Sequence, residues 1–461
     1  MNDIELDPKR SWFLYVGEIK TAGLNSFLVE PLSRRYGKPA VCIHIVPDVL
    51  AFYPDDIFLV VGPNSDKAGQ DNQERRNSRI PAREFAAMVS DDEVVNALVH
   101  KILDEQGELF LNVFESSAEL AFAADDRVKL IGPDPHIAAS MNNKLHQYEM
   151  AAHLGIPVPE GSVLAGYGEA LTYADRIFSR GKRAFISAAY SAGGSNSIVA
   201  STGEEITSRF EGVPGGLLVT EFVEHRYDPT VLGVVANEEE IYIASVADQT
   251  IHGTRFMGST FPTVLGNETV WRLKELTRTV GRYMAGQGYR GAFVCDYIVD
   301  EGANVYFIEV NARKQGTTME TSLAMTHNLP GRPSFPELEM MAVMEGRLPE
   351  GLDEMDSTSS PLCWGTFNYK AVDDRLITNY IPPSMNEHDL FSNAMAGREG
   401  YIVLDHVGPQ THITAGGFVA RVIAAGPTPA GVKKGLKAGA RQVHASIQSG
   451  KENRTARESR R

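Results

Sequence analysis

A chain of 461 residues with 43% apolar and 22% charged residues has room for about two to four globular domains, each with its own core. Its net charge of −15 repels nucleic acid and anionic membrane surfaces, so neither is an expected partner. Three widely spaced cysteines (Cys42, Cys295, Cys363) in apolar runs read as reduced core residues of a cytoplasmic protein, and no paired Cys/His spacing offers a zinc site. The polar N-terminus MNDIELDPKR is no signal peptide, and no apolar run reaches membrane-spanning length.

From Trp12 to about Pro135, short β runs alternate with helical stretches. WFLYVG (12–17), AVCIHIV (40–46), DIFLVVG (56–62), ELFLNVF (108–114) and KLIGP (129–133) read as strands. Asp91–Gln106 sets Val94, Val95, Leu98, Ile102 and Leu103 on one helical face, and Asn25–Tyr36 is a second helix. This alternation implies a mostly parallel α/β sheet. The Arg75, Arg76, Arg79, Arg83 cluster reads as a solvated loop and helix start, or as the lining of a pocket for an acidic group. Ile137–Leu154 is expected as one helix, running into GIPVPEG, whose prolines end it.

RAFISAAYSAGGSNSIVAS (183–201) gives two β runs around Ser191–Ser197. A glycine- and serine-rich loop offers backbone N–H groups to phosphates; the plainer reading is a flexible hairpin. GLLVTEFVEHRYDPTVLGVV (216–235) holds two more strands. EIYIASVADQTIHGTRFMGSTFPTVL (240–265) is read as a strand followed by an irregular polar loop, in which Arg255, beside His252, is a candidate to hold a substrate carboxylate or acyl phosphate. Glu268–Ala285 is a helix. Gly286–Gly291 fits GxGxxG, but a helix precedes it and a strand follows, the reverse of a dinucleotide fingerprint. There is no GxxxxGK[ST] phosphate loop.

Ala292–Val299 and Val305–Val310 flank the polar, glycine-containing Asp300–Asn304, the pattern of a β-hairpin. A symmetric turn sets Asp296 opposite Glu309, and alternation puts Glu309, Asn311 and Arg313 on one face. Two carboxylates and an amide oxygen suit Mg²⁺, which fills its shell with phosphate oxygens, and Arg313 beyond them suits a phosphoryl oxygen. The alternative is a solvated polar face with a surface salt bridge. The spacing resembles the ATP-grasp ligases, whose metal strands run Asp, then Glu-x-Asn-x-Arg about a dozen residues on.

That resemblance implies roles for further residues. Lys144, early in the Ile137–Leu154 helix and ahead of Gly155-Ile156-Pro157-Val158-Pro159, matches a lysine that contacts the nucleotide phosphates. Gly193, Gly194, Ser195 and Asn196 fall in the phosphate loop. Ser187 stands where the family usually carries a second ATP lysine, leaving Lys182 or Arg183 to compensate. Glu221, Phe222 and Val223 fall at adenine-facing hinge positions, with Glu224 or Asp228 on the ribose hydroxyls. Gly316, Thr317 and Thr318 lie in the acceptor-carboxylate loop, before helices at 320–326 and 336–346. The fold expected is α/β (α+β): an N-terminal α/β domain (1–135), an ATP-grasp module (136–350) of two lobes (136–218 and 219–350), an acidic linker (351–360), a small C-terminal α/β lobe (361–447) and a disordered basic tail (448–461).

The activity implied is an ADP-forming carboxylate–amine ligase. ATP and two Mg²⁺ ions on Asp296, Glu309 and Asn311, with Mn²⁺ as a substitute, would turn an amino-acid carboxylate into an acyl phosphate held near Arg313 and Arg255. A peptide or amino-acid amine would then attack it. The wording SAAYSAGGSNS, the GSTFP loop and the C-terminal lobe look like the pheganomycin-type peptide ligases of natural-product (antibiotic) biosynthesis. One relative of these loads a carrier-protein thiol instead. Alternatives are therefore a carrier-protein partner and a non-catalytic ATP-binding regulator; a homodimer is the assembly considered.

Overall fold

Strands that alternate with amphipathic helices over the first 135 residues build an all-parallel five-stranded sheet. Its order is Ile57–Val60, Ala40–Val46, Ser11–Val16, Leu109–Val113, Val128–Ile131. All six residues of the central strand are buried, as a parallel strand covered on both faces requires. Trp12, Leu14 and Val16 pack with Val95, Leu98, Ile102 and Leu103 of the helix Glu93–Gln106, which Asp92 caps by accepting from Val94 and Val95 N–H. Phe13 and Tyr15 point the other way, onto Leu28 and Leu32 of the helix Ser26–Tyr36.

The computed structural model describes residues 6–47, 57–62, 65, 75–77, 80–190, 196–253, 255–378, 381, 384–408 and 410–458. The chain divides into two compact units: unit 1 is Met1–Pro135, Gly316–Met355 and Ser360–Arg461, and unit 2 is His136–Gln315 with Asp356–Ser359. The sequence grouped 316–350 with the second ATP-grasp lobe, whereas the chain returns to unit 1 at Gly316. In unit 1 the parallel sheet is joined by an antiparallel set in which Phe418–Gly426 pairs with both Cys363–Lys370 and Gly400–Asp405. The helix Pro429–Glu458 packs against that set. It carries the basic segment expected to be disordered, since Lys, Glu, Arg and Ala after Gly450 are good helix formers and no proline intervenes.

Unit 2 holds two sheets. The smaller is antiparallel where paired, in the order Gly161–Leu164, Leu217–Glu221, Ala184–Ala188, Ser197–Ala200. Ala184, Ile186, Leu217 and Val219 on one face meet Ala170, Ala174, Ile177, Ile206 and Phe210. The larger runs Val305–Asn311, Gly291–Val299, Pro229–Val235, Ile241–His252, Arg255–Phe261, and packs on the helix Asn267–Gly286 through Leu273, Val280 and Met284.

Two expectations are corrected in unit 2. The segment after Ile241 is not a strand and a loop but a hairpin, with His252 opposite Arg255 and Gly253 at φ +64° in its turn. The expected helix Ile137–Leu154 is broken into Pro135–Met141 and Lys144–His153. Asn143 is the cause: its side chain accepts from Leu145 and His146 N–H and starts a second helix.

Candidate active site

The break at Asn143 makes Lys144 the first residue of its helix, with its backbone N–H donated to Ala189 O at 2.8 Å. Gln147, one turn on, fixes this helix to the strand Val305–Asn311 from both sides. Its Nε2 donates to Val310 O at 2.6 Å, and its Oε1 accepts from Val310 N–H at 3.1 Å. Asn142 Oδ1 accepts from Ala312 N–H at 2.9 Å. These amide clamps hold Lys144 over the polar face of that strand.

On that face Asp296 is paired with Glu309, as the hairpin reading required. The turn alone does not produce this register. Val299 pairs with Val305 and Tyr297 with Phe307, and an irregularity between Asp296 and Tyr297 shifts the pairing by one residue. That bulge turns Glu309, Asn311 and the following Arg313 toward the Asp296 side while Val310 and Ala312 stay in the core.

Four donors converge on the two acids. Gln249 Nε2 donates to Asp296 Oδ1 at 2.6 Å, and Asn311 Nδ2 reaches Asp296 Oδ2 at 3.1 Å and Glu309 Oε1 at 3.3 Å. Thr230, opposite Asp296 in register, also hydrogen-bonds it. Lys144 Nζ binds Glu309 Oε2. Arg313 donates to Asn311 Oδ1 at 3.2 Å and to Lys314 O at 3.0 Å. Burial pushes the Asp296 carboxyl up, against the hydrogen bond from Thr230 and the charges of Lys144 and Arg313. Burial lowers the Lys144 ammonium to about 8, with Asp296 opposing and Arg313 adding to the shift. Oxygens of two carboxylates thus face a shared point on which an ammonium and an amide NH₂ now converge. A divalent cation of the hard-oxygen type fits that donor set, with the Asn311 amide turned to present its oxygen.

The other residues named from the sequence are dispersed over unit 2. Gly193, Gly194 and Ser195 lie outside the described residues, and Asn196 donates to Tyr190 O at 3.1 Å. Ser187 is fully buried on the sheet face opposite the Ile186 core, its hydroxyl donating to Ala188 O at 3.1 Å. Neither cation named as its substitute lies beside it. Lys182 pairs with Glu221, and Arg183 pairs with Glu224 while its guanidinium sits 4.4 Å from the centre of the Phe222 ring. Phe222 N–H donates to Arg183 O at 2.8 Å, so Glu221, Phe222 and Val223 follow a strand tied to that of Arg183. Val223 O and Asp228 Oδ1 both engage His225, at 2.8 and 3.0 Å. Arg255 is exposed at the tip of its hairpin. In unit 1, Gly316, Thr317 and Thr318 lead into the helix Thr318–Asn328, and both threonines are buried. Gln249, Thr230 and Gln147 were missed. Only their position on strands or a helix adjoining the Asp296 face marks them, and that requires the sheet order.

Residues 141–317 match the family model for the ATP-grasp domain. A stretch of 126 residues is 30% identical to L-propargylglycine–L-glutamate ligase of Streptantibioticus cattleyicolor, spanning 27% of this chain and only 25% of that ligase. Among solved structures, biotin carboxylase of Campylobacter jejuni aligns at a TM-score of 0.63 and 17% identity, over 92% of this chain and 90% of that one. The biotin carboxylase domain of Hydrogenobacter thermophilus 2-oxoglutarate carboxylase, in complex with MgADP, aligns at 0.61 and 16%, over 91% and 86%. N5-carboxyaminoimidazole ribonucleotide synthetase of Thermus thermophilus aligns at 0.55 and 15%, over 92% and 97%. At such identities the likeness is one of fold. The Asp296/Glu309/Asn311/Arg313 face lies inside the segment, residues 141–317, that is similar to the ATP-grasp domain.

Proposed function

We propose that the protein is an ATP-dependent carboxylate–amine ligase that forms an amide bond through an acyl phosphate. The observation that carries this reading is the convergence of Asp296, Glu309, Asn311, Lys144 and Arg313 on one half-buried face of the matched domain. Mg²⁺, as two ions held by Asp296, Glu309 and the Asn311 side-chain oxygen, would neutralise phosphate oxygens there. Lys144, which now pairs with Glu309, would bind a phosphate oxygen when that carboxylate is engaged by a cation. Arg313 holds charge on the transferred phosphoryl group. A substrate carboxylate oxygen bonds to the γ-phosphorus as its bond to the ADP oxygen breaks. An amine then attacks the acyl carbon, phosphate leaves, and the amine proton passes to solvent or phosphate. Positioning and charge neutralisation carry the rate.

The partial likeness to a ligase named for joining L-propargylglycine to L-glutamate supports α-amino acids as both acid and amine, and a role in natural-product assembly. The first test is a hydroxylamine trap: protein, ATP, Mg²⁺ and a panel of amino acids, assayed for hydroxamate and for ADP against AMP. Hydroxamate with ADP is expected. AMP would mean adenylation and overturn the mechanism, and no product with any acid would overturn the ligase reading.

A further inference from the structure

The parallel sheet of unit 1 has a point where strand order reverses. Ser11–Val16 lies between Ala40–Val46 and Leu109–Val113, all parallel, and open sheets of this kind bind ligands beyond the carboxyl ends of such strands. Lys20 stands just past the first strand, its ammonium 5.3 Å from the centre of the Phe114 ring just past the last. Other segments of unit 1 bring charged side chains to the same place. A Cβ built on Gly316 would lie 3.7 Å from Arg421 Nη1 and 4.0 Å from Lys20 Cε, so Gly316 keeps open the space between two cations.

Arg421 donates Nε and Nη2 to Glu320 Oε1 at 3.2 and 2.6 Å, which leaves Nη1 outside that pair. Arg421 is 2% exposed and Glu320 1%. Glu320 Oε2 and His406 Nε2 are buried with no hydrogen-bond partner among the described residues. Buried groups of this kind are nearly always satisfied, by protein, by ordered water or by a bound group. His406 does not balance Glu320, because burial and the charges of Arg421 and Lys20 hold the imidazole neutral. Glu387 is also near: burial, then the charge of Glu320, raises its carboxyl to about 8. The cluster therefore presents Lys20, which also pairs with Glu18, the Nη1 of Arg421, and a Glu320 carboxylate with an open oxygen.

We propose that this cluster is an α-amino-acid-binding site: Lys20 and Arg421 Nη1 take the carboxylate in the space left by Gly316, and Glu320 Oε2 takes the ammonium. A zwitterion is the ligand that answers both signs of charge at once. That the amino acid is a substrate rests on the ligase reading; the binding site does not.

The test is calorimetric titration of the full chain, without ATP or Mg²⁺, with each proteinogenic L-amino acid at millimolar concentration. The best binder is then compared with its des-amino acid and its α-amide. Binding should weaken about tenfold or more when either charged group is removed. Lys20→Met should weaken it similarly, and Glu320→Gln should abolish the preference for the amino acid over the des-amino acid. Since Glu320→Gln disturbs a buried pair, Gly316→Ala gives a second test. Its methyl meets only ordinary contacts, so the variant folds, yet it fills the carboxylate space. No binding by any amino acid, or binding that Lys20→Met and Gly316→Ala leave unchanged, overturns the site. Hydroxamate formation with unchanged KM in Lys20→Met would sink the site and keep the ligase. Amino-acid binding without any hydroxamate would do the reverse.

Discussion

Glu309→Gln separates the chemistry of the Asp296 face from its role in folding. The change keeps shape and removes one of two carboxylates. Losing one preorganised charged group at a developing phosphoryl transition state costs about 10²–10³ in kcat/KM, or about 3–4 kcal/mol. The folding cost is smaller. The side chains of Lys144 and Glu309 are 13% and 22% exposed, so the pair is partly screened and is worth about 1 kcal/mol. Gln147 still holds the Lys144 helix to Val310 by two bonds, at 2.6 and 3.1 Å. A melting temperature lower by only about 2–4 °C is expected. The assay is ADP release in the presence of Mg²⁺, with a melting curve on the same sample. Wild-type turnover by a folded Glu309→Gln protein would refute the metal assignment. Lost turnover in a protein that also unfolds would mean Glu309 is a structural residue.

Gln147→Leu should do the opposite, removing a structural clamp. It leaves Val310 N–H and C=O buried without those partners, a loss of about 2–3 kcal/mol that a denaturant titration would register. An unchanged midpoint would show that the clamp contributes nothing. Asp228 raises the pKa of His225 above its ordinary 6.5 chiefly through its hydrogen bond. This stabilisation is complete below 6.5 and is lost as pH rises through the higher folded value. Asp228→Asn should remove it, at about 1 kcal/mol or less for a pair only half-buried; an unshifted His225 ring titration by NMR in that variant would sink the assignment. Glu387 runs with the other sign. Its folded pKa is raised from 4.5 to about 8, so ionisation is disfavoured in the fold and stability falls as pH rises between those values. Glu387→Gln should escape that fall and unfold at higher temperature than wild type above pH 8, by roughly 1–4 kcal/mol. Parallel stability curves for the two proteins would refute it.

Local patterns in the chain fixed a good deal. Full burial of alternating apolar runs gave the parallel sheet of the first 135 residues, because strands covered on both faces need continuous apolar character. Period-two alternation put Glu309, Asn311 and Arg313 on one face, and the polar Asp300–Asn304 segment made their strand the hairpin partner of the Asp296 strand. Tertiary structure decided what lies between distant segments. The bulge beside Asp296 is a one-residue slip that composition does not announce, yet it sets which face Glu309 occupies. Gln249 reaches Asp296 only because the strand order brings Ile241–His252 within one strand of the hairpin. Glu320 and Arg421 stand 101 residues apart, and no local pattern in the chain pairs them. Packing in unit 1 buried both, left one carboxylate oxygen open, and set them beside Lys20 and Gly316. Charge in a sequence records sign and position along the chain, whereas burial and the missing partner, which turn charge into a binding site, exist only in three dimensions.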